Sequence, residues 1–239
     1  MATNHYSNIG KDGIIKEGIF VRFPDFEPVS KDNYWNSNKH RKLLIVAESS
    51  YFEDEAESVY KSVFKDPVAW YTGEDTQHLI PIPETEPKKY TTKVNNWKAG
   101  YTPFNNLCKS INNVSNDFHC SAVYEEAMFY NYFLRPATVR VIRGKKNLSF
   151  KKDCTQLDRE VAGTALCGII ELDRPDIVIF VSKYAFLEFK KHIDSKGCSF
   201  NNTHIDFVYH PSLPLSWNHR NGNGRQKFER LLSEYWIVK

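Results

Sequence analysis

The sequence predicts an α/β fold: a three-layer α/β/α sandwich around a central, mainly parallel sheet. Short apolar runs bounded by polar residues, "KLLIVA" (Lys42 to Ala47) and "PDIVIFVS" (Pro175 to Ser182), have the pattern of buried strands, and the alternating "HIDFVYH" (His204 to His210) that of a third strand. Segments of helical period alternate with them, as strand–helix units in a parallel sheet require. Of the 239 residues, 41% are hydrophobic and 14% aromatic, so the chain has ample material for a core and does not have the composition of a disordered one. The length suits one large domain, predicted over residues 41–239, with residues 1–40 as an irregular N-terminal arm packed on it.

In chain order, residues 1–40 mix Gly, Pro, Asp, Asn and aromatic residues without a steady period, which leaves room for one short strand at most. The first strand, "KLLIVA", leads to a predicted helix, "EDEAESVYKSVF". Its first turn is acidic, as the helix dipole favours, and Val59, Val63 and Phe64 have core-facing spacing. Residues 66–100 contain Pro67, Pro81, Pro83 and Pro87 and are predicted to be mostly loop. "TPFNNLCKSI" starts with Thr and Pro at a helix N-terminus, and "YEEAMFYNYFL" reads as a helix, or a helix passing into a strand, that runs into Pro136. The strongest helix starts near Asp153, expected as the N-cap, and repeats Leu157, Val161, Ala165 and Ile169. "YAFLEFKKHI" is the next helix, and "RQKFERLLSEYW" is an amphipathic final one.

Several function classes are disfavoured. A net charge of +3 does not by itself call for a nucleic-acid partner, so local clustering has to carry that case. The five cysteines, with no C-x-x-C pair, fit neither a disulfide framework nor a zinc or iron–sulfur site, and no metal or other cofactor is expected. The N-terminal stretch lacks a signal-peptide pattern, and no run approaches the roughly 18 apolar residues of a membrane span, so a cytoplasmic protein without membrane contact is expected.

Parallel sheets bind ligands beyond the carboxyl ends of their strands, and two polar clusters fall there. "AESSY" (Ala47 to Tyr51) follows the first strand and "HPSLPLS" (His210 to Ser216) follows the last. A serine nucleophile at Ser49 with His210 as base is disfavoured, because Ala47 and Tyr51 stand where a nucleophile elbow needs glycines. A third cluster runs from Arg135 to Lys152. It holds Arg135, Arg140, Arg143, Lys145, Lys146, Lys151 and Lys152 without one acidic residue, the footprint of a phosphate-binding surface that Arg220 and Arg225 would extend.

Together these segments resemble the uracil-DNA glycosylase superfamily over roughly residues 42–235. His210, Pro211, Ser212, Leu213, Pro214, Leu215 and Ser216 resemble the family's H-P-S-P-L-S loop with one residue inserted. The resemblance implies that His210 donates a hydrogen bond to the uracil oxygen that gains charge, with Ser212 in the same loop. Leu215, with Ser216 beside it, would be the wedge in the space left by the extruded nucleotide, and Leu213 competes for that role because of the inserted residue. "AESSY" is similar to the motif after the family's first strand, with Glu48 at the Q/E position, Ser49 where one branch has an aspartate, and Tyr51 where a thymine methyl would go. Asn131 in "FYNYFLRP" matches the asparagine that reads the uracil edge, and Trp97 and Tyr101 are candidates for the aromatic that stacks on the base. The implied activity is a metal-independent hydrolase of DNA repair by base excision, a glycosidase with Glu48 and His210 as catalytic residues and DNA as partner. Ser49 favours a second reading, a binding module of the same fold that has lost turnover.

Overall fold

The computed structural model describes residues 26–51, 67–72, 102–137, 140–142, 145–147, 150–218 and 223–238. After a short helix, α1 (Asp32–Asn36), come β1 (Leu43–Tyr51), α2 (Pro67–Thr72), α3 (Thr102–Val114), α4 (Val123–Glu126) and β2 (Met128–Ala137). A two-stranded ribbon, β3 (Arg140–Ile142) and β4 (Lys145–Asn147), precedes α5 (Gln156–Asp173), β5 (Ile177–Phe180), α6 (Lys183–Lys196), β6 (His204–Phe207), α7 (Pro214–Asn218) and α8 (Gly224–Leu231).

The main sheet is parallel throughout, with strand order β2-β1-β5-β6. Leu43 to Val46 have no solvent exposure, because helices cover both faces of β1. On one face Leu44, Val46, Tyr130, Tyr132, Val178 and Phe180 pack with α5 and α6, which contribute Ala162, Leu166, Ala185 and Phe189. On the other, Leu43, Ile45, Phe129, Ile177 and Ile179 meet Phe104, Leu107 and Ile111 of α3, Phe228 and Leu231 of α8, and Trp236. This is the three-layer α/β/α sandwich that the alternating pattern predicts. The β2 edge is covered by the incoming chain: the backbones of Val29 and Phe129 exchange two hydrogen bonds of 2.9 Å.

The elements differ from expectation in five places. β1 runs on through "AESSY" to Tyr51, a stretch that reads as a polar cluster after the strand, because its backbone keeps pairing with β2. Pro67–Thr72 is helical, although the proline-rich stretch reads as loop. The N-cap of α5 is Thr155 rather than Asp153. Its hydroxyl accepts from the Asp158 N–H, and the Asp158 carboxylate accepts from the Thr155 N–H, so the reciprocal cap lies two residues further on. The basic run contains the β3–β4 ribbon, and the last helix ends in a π-helical turn over Leu232–Trp236. The predicted helix "EDEAESVYKSVF" lies outside the described residues.

Candidate functional site

In an open parallel sheet, a crevice forms where two neighbouring strands send their following connections in opposite directions. Here those strands are β1, whose chain goes on to β2, and β5, whose chain goes on to β6. Their carboxyl ends carry Glu48 and Ser182, and these two side chains meet.

Glu48 continues the side-chain alternation of Leu44 and Val46, but it lies where the sheet ends and polar donors replace the core. One carboxylate oxygen accepts from the backbone N–H of Phe150 at 2.8 Å, and the other accepts from the Ser182 hydroxyl at 2.6 Å. Ser182 is also the N-cap of α6, where its oxygen accepts from the Ala185 N–H. Its one proton is therefore directed at Glu48 while its oxygen caps the helix.

His210 follows β6. Its Nδ1 lies 2.7 Å from the Ser212 hydroxyl and accepts from the Ser212 backbone N–H at 3.2 Å. A backbone N–H can only donate, so Nδ1 is the acceptor and the proton of the neutral ring belongs on Nε2. Burial pushes the imidazole below the usual histidine range, and the nearby Glu48 carboxylate partly opposes this. The two predicted catalytic residues, one within β1 and one after β6, thus lie within electrostatic reach of each other. The loop is also tied to the helical layer, since Asn106 of α3 donates from Nδ2 to the Pro211 carbonyl at 2.7 Å.

Ser49 is half-buried in β1, level with Phe133 of β2. Tyr51 closes the strand level with Ala137, after a register shift. Asn131 pairs with Ala47, the residue before Glu48, and its Oδ1 is buried without a hydrogen-bond partner among the described residues. A base presenting an N–H would satisfy that oxygen. Leu215 is 79% exposed on α7, Leu213 just before the helix is exposed as well, and Ser216 is half-buried. Trp97, Tyr101, Arg143 and Arg220 lie outside the described residues, and Arg140, Lys145 and Lys146 belong to the β3–β4 ribbon.

Arg135 does not fit the nucleic-acid surface expected of it. It is 2% exposed and turned into the protein, where Nε donates to Asp158 at 2.9 Å and one terminal nitrogen donates to the other carboxylate oxygen at 2.6 Å. The Tyr71 hydroxyl donates to the same carboxylate at 2.7 Å. Burial would raise the pKa of Asp158, but Arg135 and the Thr155 and Tyr71 donors outweigh it and hold the carboxyl below its ordinary value. A guanidinium committed in this way has no face to offer a phosphate.

Sequence reasoning did not single out Ser182, Asn106, the Phe150 amide or Tyr209. Ser182 was legible as a residue between strand and helix, but its partner is 134 positions away. Tyr209, 44% exposed and next to His210, had been absorbed into the strand pattern. Among the described residues there is no group of three or more His, Cys, Asp or Glu side chains that could hold a metal ion, and no helix long and apolar enough to cross a membrane. No protein-family model matches the chain, and no curated protein matches it.

Proposed function

We propose that this protein is a uracil-DNA glycosylase-type enzyme that hydrolyses the N-glycosidic bond of uracil or a related damaged base in DNA. The observation that carries the reading is that the Glu48 carboxylate lies within electrostatic reach of a neutral His210, whose proton is on Nε2, toward the carboxyl ends of the parallel strands. An extruded nucleotide would place its base oxygen at Nε2–H and its sugar near the carboxylate. As the bond from C1′ to the base nitrogen breaks, its electron pair leaves with the base, and His210 stabilises the charge on the base oxygen. The Glu48 carboxylate stabilises the cationic sugar, water adds to C1′, and the proton that water releases neutralises the base anion. The unpartnered Asn131 Oδ1 is placed to accept from the base edge.

One observation favours a binding module without turnover. Both Glu48 oxygens already accept hydrogen bonds, which occupies lone pairs a general base would use, and Ser49 brings no second carboxylate. A labelled single-stranded oligonucleotide with one uracil separates the two, with alkali cleaving the abasic product. The enzyme reading expects strand cleavage that falls about 100-fold or more in both Glu48→Gln and His210→Ala. No release of uracil, hypoxanthine or xanthine by the native chain, with DNA affinity retained, identifies the module.

A further inference from the structure

The cations of this chain are not evenly spread. Overall there are 32 Lys and Arg against 29 Asp and Glu. Six of those cations (Arg140, Arg143, Lys145, Lys146, Lys151 and Lys152) fall between positions 140 and 152 with no acid among them, so the rest of the chain carries 26 against 29. The positive excess of the protein therefore resides in one segment. That segment leaves the carboxyl end of β2, folds as the antiparallel β3–β4 ribbon with Val141 level with Lys146, and returns through the turn Phe150–Lys152, where Lys151 and Lys152 are exposed.

Its root is closed by the arginine that sequence reasoning had placed on the surface. Arg135, where the segment departs, donates to the Asp153 carbonyl at 2.6 Å, where it returns, and its guanidinium lies 4.9 Å from the centre of the Phe150 ring. The backbone N–H of Phe150 is the group that donates to Glu48. From Asn147, at the end of the ribbon, to Phe150 is three residues, no more than about 11 Å of extended chain.

We propose that this segment is an arm that grips the phosphate backbone of a nucleic acid and, through its root at Phe150, transmits that grip to the Glu48 carboxylate. The choice of nucleic acid over other polyanions deepens the function proposed above and rests on it. Six cations between positions 140 and 152, three of them on the ribbon, match the repeated charge of a phosphate chain, and binding there releases counterions. A strand held by the arm lies beside the crevice, and the tethered amide is the physical link between the two.

The test reads binding rather than base release. Fluorescence anisotropy follows a labelled oligonucleotide without uracil over about 50–200 mM salt, against native protein, the triple variant Arg140→Ser/Lys145→Ser/Lys146→Ser, and the turn variant Lys151→Ser/Lys152→Ser. The triple variant is expected to bind at least about tenfold more weakly, with a salt slope shallower by about 2–3, and the turn variant to lose about half that slope change. Melting temperatures should match the native protein. Hydrogen exchange at the Phe150 amide should slow when the native protein binds the oligonucleotide. Unchanged affinity and slope in both variants would overturn the arm, as would native protein that binds phosphatidylserine vesicles or polyglutamate but not the oligonucleotide. An unaltered Phe150 exchange rate in the complex would overturn the transmission. Arm-dependent binding without any base release would refute the glycosylase reading and leave the arm standing.

Discussion

In the proposed function His210 acts on the departing base as a neutral donor, and two local causes set its charge. Burial lowers its proton affinity, and the Glu48 carboxylate raises it by less. Its titration midpoint is therefore expected below the ordinary histidine value of about 6.5, and Glu48→Gln should lower it further by removing the opposing charge. Imidazole NMR against pH measures both, and a midpoint that rises on substitution would refute the account. The sign for folding follows from the same shift. The unfolded chain binds the proton more readily, so the contribution of His210 to stability rises with pH up to about 6.5 and is flat above. Both members of this pair were legible in the sequence because each follows a recognisable apolar run. Arg135 was not, since nothing within the cationic run announces that Asp158 faces it from α5.

At the scale of elements, α5 and α6 pack so closely that Gly163 receives the His192 ring. A β-carbon on Gly163 would lie 2.2 Å from His192 Cγ, at the stem of that side chain rather than its movable end. In an exposed helix, glycine to alanine gains about 1 kcal/mol. Here Gly163→Ala is expected to lose about 1–3 kcal/mol through overpacking, and Gly163→Ala/His192→Ala should recover most of it. Urea denaturation gives the sign, and a stabilised single variant would disprove the packing argument. The period of α5 was plain from Leu157, Val161, Ala165 and Ile169, but its start was misplaced. Asp158 both caps the helix and binds Arg135, so a tertiary partner selects Thr155 over Asp153 as the N-cap.

Across the whole molecule, the site is assembled by the sheet and held by long-range ties. The Asn106 amide joins the α3 layer to the His210 loop through the buried Pro211. Asn106→Leu keeps the bulk and removes the donor. It is expected to slow base release about tenfold, equivalent to roughly 1.4 kcal/mol, while the melting temperature shifts by only a few degrees. Time courses with the uracil oligonucleotide check this, and an unaltered rate would show that the tie does not position the loop. The sequence by itself determined the layered α/β class, the two central apolar strands β1 and β5, the edge strand β6 and the polar residues that follow their apolar runs, because apolar runs and helical period are written in neighbouring residues. Only the tertiary structure decided that Ser182 and the Phe150 amide hold Glu48, that Arg135 is a buried clasp and that Arg140, Lys145 and Lys146 fall on an antiparallel ribbon. Those outcomes depend on which strand lies beside which, and strand order is fixed by packing between residues far apart in the chain.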